Sequence, residues 1–168
     1  MRKIARDVGV VPSALYKHVP TRDALLTELI TDSYSSLADH LSKTGETWES
    51  RALALRSWAL ARPHEFQLLY GTPVVDYRAP EKTVALAARV FEQFAAVTPP
   101  AHPEIPEALE AQVEPLARPL GLSPGQAAHA LGFLSQLVGS ILLELGGHFV
   151  GTVSPADEYY RWLVATQT

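Results

Sequence analysis

The sequence predicts an all-α protein, and three observations support this fold class. Apolar residues recur at helical spacing through most of the chain, which is typical of amphipathic helices. The sequence contains no Asn-Gly or Asp-Gly hairpin turn and no sustained alternation of apolar and polar residues. Hydrophobic residues make up 47% of the 168 positions, so these helices can bury a sizeable core.

Glycine, proline and threonine delimit the first three predicted helices. The first covers about Arg2–Val8 and stops at Gly9, because glycine tolerates the left-handed conformation that often ends a helix. The second, Pro12–His18, begins with a proline whose missing N–H costs nothing in a first turn. Thr21 can then cap a long third helix, Arg22–Ser42.

The rest of the chain predicts six more helices joined by short breaks. Thr47 can cap a helix that ends near Arg62, and Pro63 starts a short one that reaches Tyr70. Residues 71–80 are predicted as a loop, and the four prolines within 98–106 indicate a mobile linker. The remaining helices are expected at about Glu81–Val97, Glu107–Leu116, Ser123–Leu145 and, opened by Ser154-Pro155, near the end of the chain.

Composition excludes several function classes. The chain has no cysteine, which removes disulfides and thiolate metal sites and favours a reducing cytoplasm. No basic-then-apolar segment resembles a signal peptide. The longest apolar stretch, Phe133 to Phe149, is interrupted by polar residues and is shorter than the ~20 clean residues of a membrane span, so no membrane association is predicted.

Charge is distributed unevenly along the chain. The net charge is −4, but residues 1–22 hold five basic residues and one acidic residue and therefore carry +4. The remainder then carries −8. A basic end on an acidic body indicates a head that binds a polyanion and a body with another role.

Residues 4–19 have the layout of a helix-turn-helix. Two short helices meet at a glycine turn, where Ile4, Ala5, Val8 and Leu15 can pack together while the second helix presents Ser13, Ala14, Lys17 and His18 outward. In this motif the second helix enters the DNA major groove by its N-terminal end.

The same stretch resembles the DNA-binding domain of the tetracycline-repressor (TetR/AcrR) family of bacterial regulators. The stretches that correspond to the family pattern are Ile4-Ala5, Gly9-Val10, Leu15-Tyr16-Lys17-His18-Val19 and Arg22-Asp23-Ala24-Leu25. Nine or so positions match at fixed spacing, so the resemblance is more specific than that of a generic helix-turn-helix. It implies double-stranded operator DNA as partner.

The resemblance also implies roles for individual residues. Tyr16, Lys17 and His18 would contact the phosphate backbone, which fixes register without reading sequence. Thr21 and Arg22 would meet phosphate at the start of the linking helix. Ser13 and Ala14, at the leading end of the second helix, would meet base edges or a thymine methyl.

The chain departs from the family pattern at three places. Val11 replaces a small capping residue, and Val19 replaces a usual Phe. Family members also carry a further helix before this motif, whereas this sequence begins at what would be the second helix. Either the true start lies upstream, which we favour, or the head is incomplete and the chain is a dimeric ligand-binding or interaction module without DNA-binding activity.

The body resembles a C-terminal class of the same family in residues 58–71 and 142–149. Residues 1–44 are thus expected to form the head with its linking helix, and residues 45–168 a domain that binds an apolar or aromatic small-molecule effector and dimerises. Aromatic residues can line an apolar ligand cavity or can simply form the core, and Gln136 can orient a ligand. The ligand-binding candidates are Trp58, Phe66, Tyr70, Phe91, Phe94, Phe133 and Gln136.

Homodimerisation is expected through the last two long helices. The helix after Ser123 is apolar nearly all round and must be buried on more than one side. Small residues such as Gly132 and Gly139 allow close approach, and a two-fold dimer would place two heads about one DNA turn, or a multiple, apart. The interface candidates are Leu134, Leu137, Val138, Ile141, Leu142, Tyr159 and Trp162.

The predicted function is that of a transcriptional regulator, most simply a repressor released from its operator by a ligand. An effector that favours one arrangement of the body would change head spacing and lower DNA affinity by linkage. An enzyme is not predicted, because no zinc-site spacing, phosphate loop or nucleophile elbow occurs and His64-Glu65 lacks a third orienting group. No cofactor or metal is expected.

Overall fold

A computed structural model of the chain describes residues 2–9, 11–99 and 104–167. Within those ranges the chain forms nine α-helices and one 3-10 turn and no strand, which confirms the all-α class. The helices are α1 (Arg2–Val8), α2 (Pro12–His18), α3 (Arg22–Ser42), α4 (Trp48–Ala61), α5 (Pro63–Tyr70), α6 (Glu81–Ala95), α7 (Glu107–Ala117), α8 (Pro124–Leu145) and α9 (Asp157–Ala165).

Local capping explains why most predicted bounds are confirmed. Thr21 accepts a hydrogen bond from the Ala24 N–H at 3.0 Å at the start of α3. Thr47 and Ser123 each form a capping box, with Ser50 and Gln126 respectively, at the starts of α4 and α8. These short-range bonds depend on neighbouring residues alone, so sequence reasoning can locate them.

The last helix starts later than predicted. Ser154-Pro155 does not open α9, which begins at Asp157 after Ala156. Asp157 and Glu158 occupy its first turn, where acidic side chains complement the positive end of the helix dipole. A further short 3-10 turn, Arg118–Leu120, follows α7 and was not predicted.

The core of the body lies between α3, α4, α6, α8 and α9. Its largest fully buried side chains come from all five helices and from α5, and include Leu37, Trp58, Phe66, Phe94, Leu137 and Tyr160. Val84, in the first half of α6, is 60% exposed and borders an open cavity, whereas Val90, Phe91 and Phe94 further along the helix are buried in the core.

One helix in the described part of the chain, α8, is long and apolar enough to cross a membrane by length and composition alone. Core helices of globular proteins pass the same test. Here α8 packs against α4, α5, α6, α7 and α9, and Leu134, Leu137 and Ile141 are buried in the core.

Candidate functional site

The head is built around a sharp turn between α1 and α2. Gly9 has φ of +77°, in the left-handed region that glycine adopts without strain. Ala5 on α1 is fully buried, and its small side chain permits the close approach of the two helices. The turn therefore orients α2 so that its outer face is available.

The second helix presents polar and basic side chains to solvent. Ser13, Ala14, Tyr16 and Lys17 are exposed, as sequence reasoning expects for residues that contact DNA. His18 ends α2, but its side chain lies outside the described residues. The arrangement leaves one continuous exposed face on a helix of major-groove size.

The start of α3 adds to this basic surface. Thr21 and Arg22 are exposed, and the Thr21 hydroxyl, which already accepts from Ala24, retains its own hydrogen for a further acceptor. Within the described ranges Lys3, Arg6, Lys17 and Arg22 form no ion pair, so their charges are available to an external anion.

Two polar contacts join α3, close to the head, to the middle of the body. The Thr27 and Tyr77 hydroxyls lie 3.0 Å apart, and Lys82 Nζ donates to Glu28 Oε1 at 2.7 Å. Tyr77 belongs to the loop between α5 and α6, and Lys82 belongs to α6. These contacts would therefore transmit a displacement of that loop or of α6 to α3, the helix that follows α2.

A cavity of about 390 Å³ lies beside these contacts. Its volume falls in the range of small-molecule sites, about 300 to 1,000 Å³. It is open on one side and is bounded by α3, the end of α5, the loop that follows and the first half of α6. The lining consists of Ile30, Tyr34, Leu68, Leu69, Gly71, Thr72, Pro73, Val74, Tyr77, Ala79, Thr83, Val84 and Ala87.

The predicted ligand-binding residues lie elsewhere. Trp58, Phe66, Phe91 and Phe94 are buried in the packed core, and Phe133 packs against Trp48 with ring centroids 5.5 Å apart. Tyr70 is not in the lining, although it meets the lining residue Tyr34 edge to face at 6.3 Å. Gln136 is exposed on α8 and accepts from Gln167. None of the seven lines the cavity, because aromatic residues at helical spacing have filled the core instead.

The predicted dimer-interface residues are divided by burial. Leu134, Leu137 and Ile141 face the interior of the protomer, and Val138 and Leu142 lie at the edge of the core. Tyr159 is half-buried and stacks on Trp162, which is 60% exposed. An interface through α8 would therefore use the opposite side of that helix, whereas Trp162 on α9 remains exposed to a second subunit.

That open side of α8 consists mainly of small and apolar residues. Gly132 and Gly139 have no neighbouring atom within 4 Å of the position of an added Cβ. Leu131 and Leu143 are large apolar side chains left exposed on the same helix. A face of this kind permits a second helix to approach closely.

An ion-pair cluster that sequence reasoning missed ties α4 to the last two helices. The Arg56 guanidinium binds both carboxylate oxygens of Glu144, at 2.7 and 2.6 Å, and donates to Asp157 Oδ1 at 3.1 Å. It also lies 5.5 Å from the centre of the Tyr160 ring, whose hydroxyl donates to the Ala52 carbonyl. The partners are about 90 or more positions apart, so no local pattern could have predicted them.

A protein-family comparison matches residues 48–167 to the family described as tetracyclin repressor-like, C-terminal domain. The match covers α4 to α9 and therefore includes the α6 wall of the cavity and the open face of α8. It confirms the resemblance inferred from the sequence.

Curated relatives and a solved structure agree with this match. The chain is 40% identical over 104 residues to the HTH-type transcriptional regulators Rv1816 of Mycobacterium tuberculosis and Mb1846 of Mycobacterium bovis. The alignment covers 56% of this chain and 44% of each relative, so the chain spans less than half of their length. The crystal structure of SCO4313, a protein classed provisionally as regulatory, superposes with a TM-score of 0.84 at 31% identity, covering 99% of this chain and 83% of that one.

Proposed function

Because the chain belongs to the tetracycline-repressor-like family, we propose that it is a dimeric DNA-binding transcriptional regulator, a repressor that a small molecule releases from its operator. The observation that carries the proposal is the exposed basic face of α2 and the start of α3, whose cations have no ion-pair partner in the described residues. The family match favours a regulator rather than an enzyme. Such a protein would work in the cytoplasm, where its operator lies.

The proposed division of labour follows the helices. Residues 1–44 are the head with its linking helix, and residues 45–168 bind the effector and the second subunit. Ser13 and Ala14 would meet base edges, while Tyr16, Lys17, His18, Thr21 and Arg22 would contact phosphates. Since α3 runs without interruption from Arg22 to Ser42, motion in the body reaches the head along one rigid element.

The effector would act through the cavity beside α3. Ile30 and Tyr34 line it from α3, and Tyr77 connects its loop wall to Thr27 on the same helix. A ligand that packs better against one position of α3 than another shifts the population of head spacings. By linkage, the same ligand lowers the affinity for the operator. The size of this effect is set by the difference between the ligand's affinities for the two arrangements.

Selection of DNA by the purified chain tests the proposal directly. Random double-stranded fragments are bound, recovered and sequenced over several rounds. We expect a two-fold symmetric site with half-sites separated by about 10 base pairs or a multiple. If no sequence is enriched over random competitor at low salt, the alternative of a dimeric ligand-binding or interaction module without DNA-binding activity is favoured.

Lys17→Ala should weaken binding to the selected site and to random DNA by similar factors. Removal of one phosphate contact reduces the slope of log affinity against log salt by about 1. The measurement is a salt titration of the dissociation constant by fluorescence anisotropy. Lys43→Ala removes another exposed cation, at the far end of α3, and should leave the slope unchanged. Equal slopes for all three proteins would contradict the phosphate role of Lys17.

Leu143→Glu should dissociate the dimer. Leu143 is exposed on the open side of α8, and a carboxylate buried there between two subunits has no partner to offset its lost hydration. Sedimentation velocity over a range of protein concentrations measures the effect. Leu29→Glu is a matched control, because Leu29 is exposed to the same extent on α3. If the Leu143→Glu protein remains a dimer while the Leu29→Glu protein dissociates, the interface lies elsewhere than on the open side of α8.

A further inference from the structure

The cavity beside α3 has a distinctive chemical lining. No charged side chain takes part in it, and Ile30, Leu68, Leu69, Val84 and Ala87 contribute apolar side chains beside residues of the loop after α5. Transfer of an ion into such surroundings would remove its hydration without supplying a counter-charge. The lining therefore disfavours an ionic group inside the cavity and favours apolar ligands.

The charged residues that border this lining do not contribute a charge to the cavity. Lys82, next to Thr83 in the lining, donates to Glu28 on α3 at 2.7 Å, and this exposed pair bridges two walls of the cavity. Asp76 and Arg78 flank Tyr77 in the loop, but both are exposed and neither belongs to the lining. An ionic group of a ligand inside the cavity would therefore lack a partner in the lining.

The hydroxyl groups in the lining differ in whether they already have a hydrogen-bond partner within the chain. The Thr83 hydroxyl donates to the Pro80 carbonyl at 2.7 Å, and the Tyr77 hydroxyl is paired with Thr27. The Tyr34 hydroxyl, by contrast, has no hydrogen-bond partner anywhere in the described parts of the chain. It remains available to a ligand.

Tyr34 is held as a neutral phenol. Burial raises the pKa of Tyr34, and burial together with the neighbouring Tyr34 raises the pKa of Tyr70. The rings meet edge to face at 6.3 Å, which restricts how the Tyr34 ring can turn. At physiological pH the hydroxyl is therefore a positioned donor, and an acceptor oxygen is its natural partner.

We propose that this cavity binds an uncharged, mainly apolar molecule whose carbonyl or ester oxygen accepts a hydrogen bond from Tyr34. The inference rests on the proposed function only for its consequence, which is relief of repression. Binding itself follows from the lining: apolar contacts supply the affinity, and Tyr34 on α3 supplies the orientation. The exposed Val84 side chain at the rim extends the apolar surface to the entrance.

Three matched probes test the chemistry by isothermal titration calorimetry of the full chain without DNA. Methyl naphthoate is neutral with an acceptor, the naphthoate anion carries a charge, and ethylnaphthalene lacks the acceptor. We expect the ester to bind about twofold to tenfold more tightly than the hydrocarbon, which is the range for one neutral hydrogen bond. The anion should bind more weakly than either.

Two variants locate the site. Tyr34→Phe keeps the ring and should remove the ester's advantage over the hydrocarbon, whereas Tyr159→Phe, on α9, should preserve it. Ala87→Phe fills the cavity and should abolish binding of the ester while circular dichroism shows a folded chain. The proposal is overturned if the anion binds as tightly as the ester, if the ester shows no binding up to its solubility limit, or if Tyr34→Phe changes ester and hydrocarbon equally. Because no DNA is present, a chain that failed to bind an operator would leave these results intact, so the two failures are distinguishable.

Discussion

Phe94→Ala should lower the free energy of unfolding by about 3 to 5 kcal/mol, as is usual for a fully buried phenylalanine. Phe94 on α6 is inaccessible to solvent and meets Trp48 edge to face at 5.7 Å. Its removal leaves a void between α6 and α4 that neighbouring rings cannot fill without leaving their rotamers.

Equilibrium denaturation at one fixed protein concentration measures this loss, since dimerisation couples stability to concentration. Val75→Ala is the control, because Val75 is 77% exposed and should change stability by less than about 0.5 kcal/mol. A loss below about 1 kcal/mol for Phe94→Ala would contradict its place in the core. It would favour instead the ligand-lining role that the sequence left open.

Arg56→Met should destabilise the fold by about 3 kcal/mol, within the range measured for breaking a buried ion pair by removal of one partner. The side chains of Arg56 and Glu144 are only 11% and 17% exposed. Methionine fills similar space but leaves the Glu144 carboxylate largely desolvated and without its two hydrogen bonds. The penalty comes from that orphaned charge.

The double variant Arg56→Met/Glu144→Leu separates this penalty from the change in packing. It should recover much of the stability, since an apolar pair of similar volume replaces the ion pair. Thermal unfolding of the single and double variants at matched concentration provides the comparison. A double variant no more stable than Arg56→Met alone would contradict the orphaned Glu144 charge as the source of the penalty.

Acid should reveal the contribution of Asp157, the second partner of Arg56, to the stability of the fold. The hydrogen bond from Arg56 holds the pKa of Asp157 below its usual range. Because the folded-state pKa is the lower one, the stabilising contribution is complete above the ordinary carboxyl pKa of about 3.9 and is lost as pH falls through the folded-state value. Asp157→Asn should flatten this part of the stability curve, and an unchanged acid limb would mean that the Arg56 contact contributes nothing.

Sequence reasoning located the head because its determinants are local. Gly9 must turn the chain, Thr21 caps the helix that follows, and α1, α2 and α3 begin and end where capping and proline chemistry predict. The family resemblance rests on the same short stretch together with patterns in the body, and the family match confirms it. Each of these signals lies within a few residues of the feature that it specifies.

In the body, local sequence patterns do not determine which face of a helix packs into the core. The α8 helix is apolar nearly all round, so its sequence predicts burial on more than one side and does not show which side faces the core. Packing against α4, α6 and α7 places Leu134, Leu137 and Ile141 inside and leaves Gly132 and Gly139 on the open side. Likewise, aromatic residues at helical spacing predicted either a cavity or a core, and tertiary packing used most of them for the core.

By itself, then, the sequence determined the helical class, most helix bounds, the exposed polar residues of α2 and the family. Tertiary structure alone decided the cavity beside α3 and the Arg56 cluster. The cavity exists because the loop after Gly71 returns to α3 through Tyr77 and Thr27, and the ion pairs exist because α4 meets α8 and α9. Contacts between residues some 50 to 100 positions apart depend on how whole helices pack, and no local spacing of residue types encodes that distance.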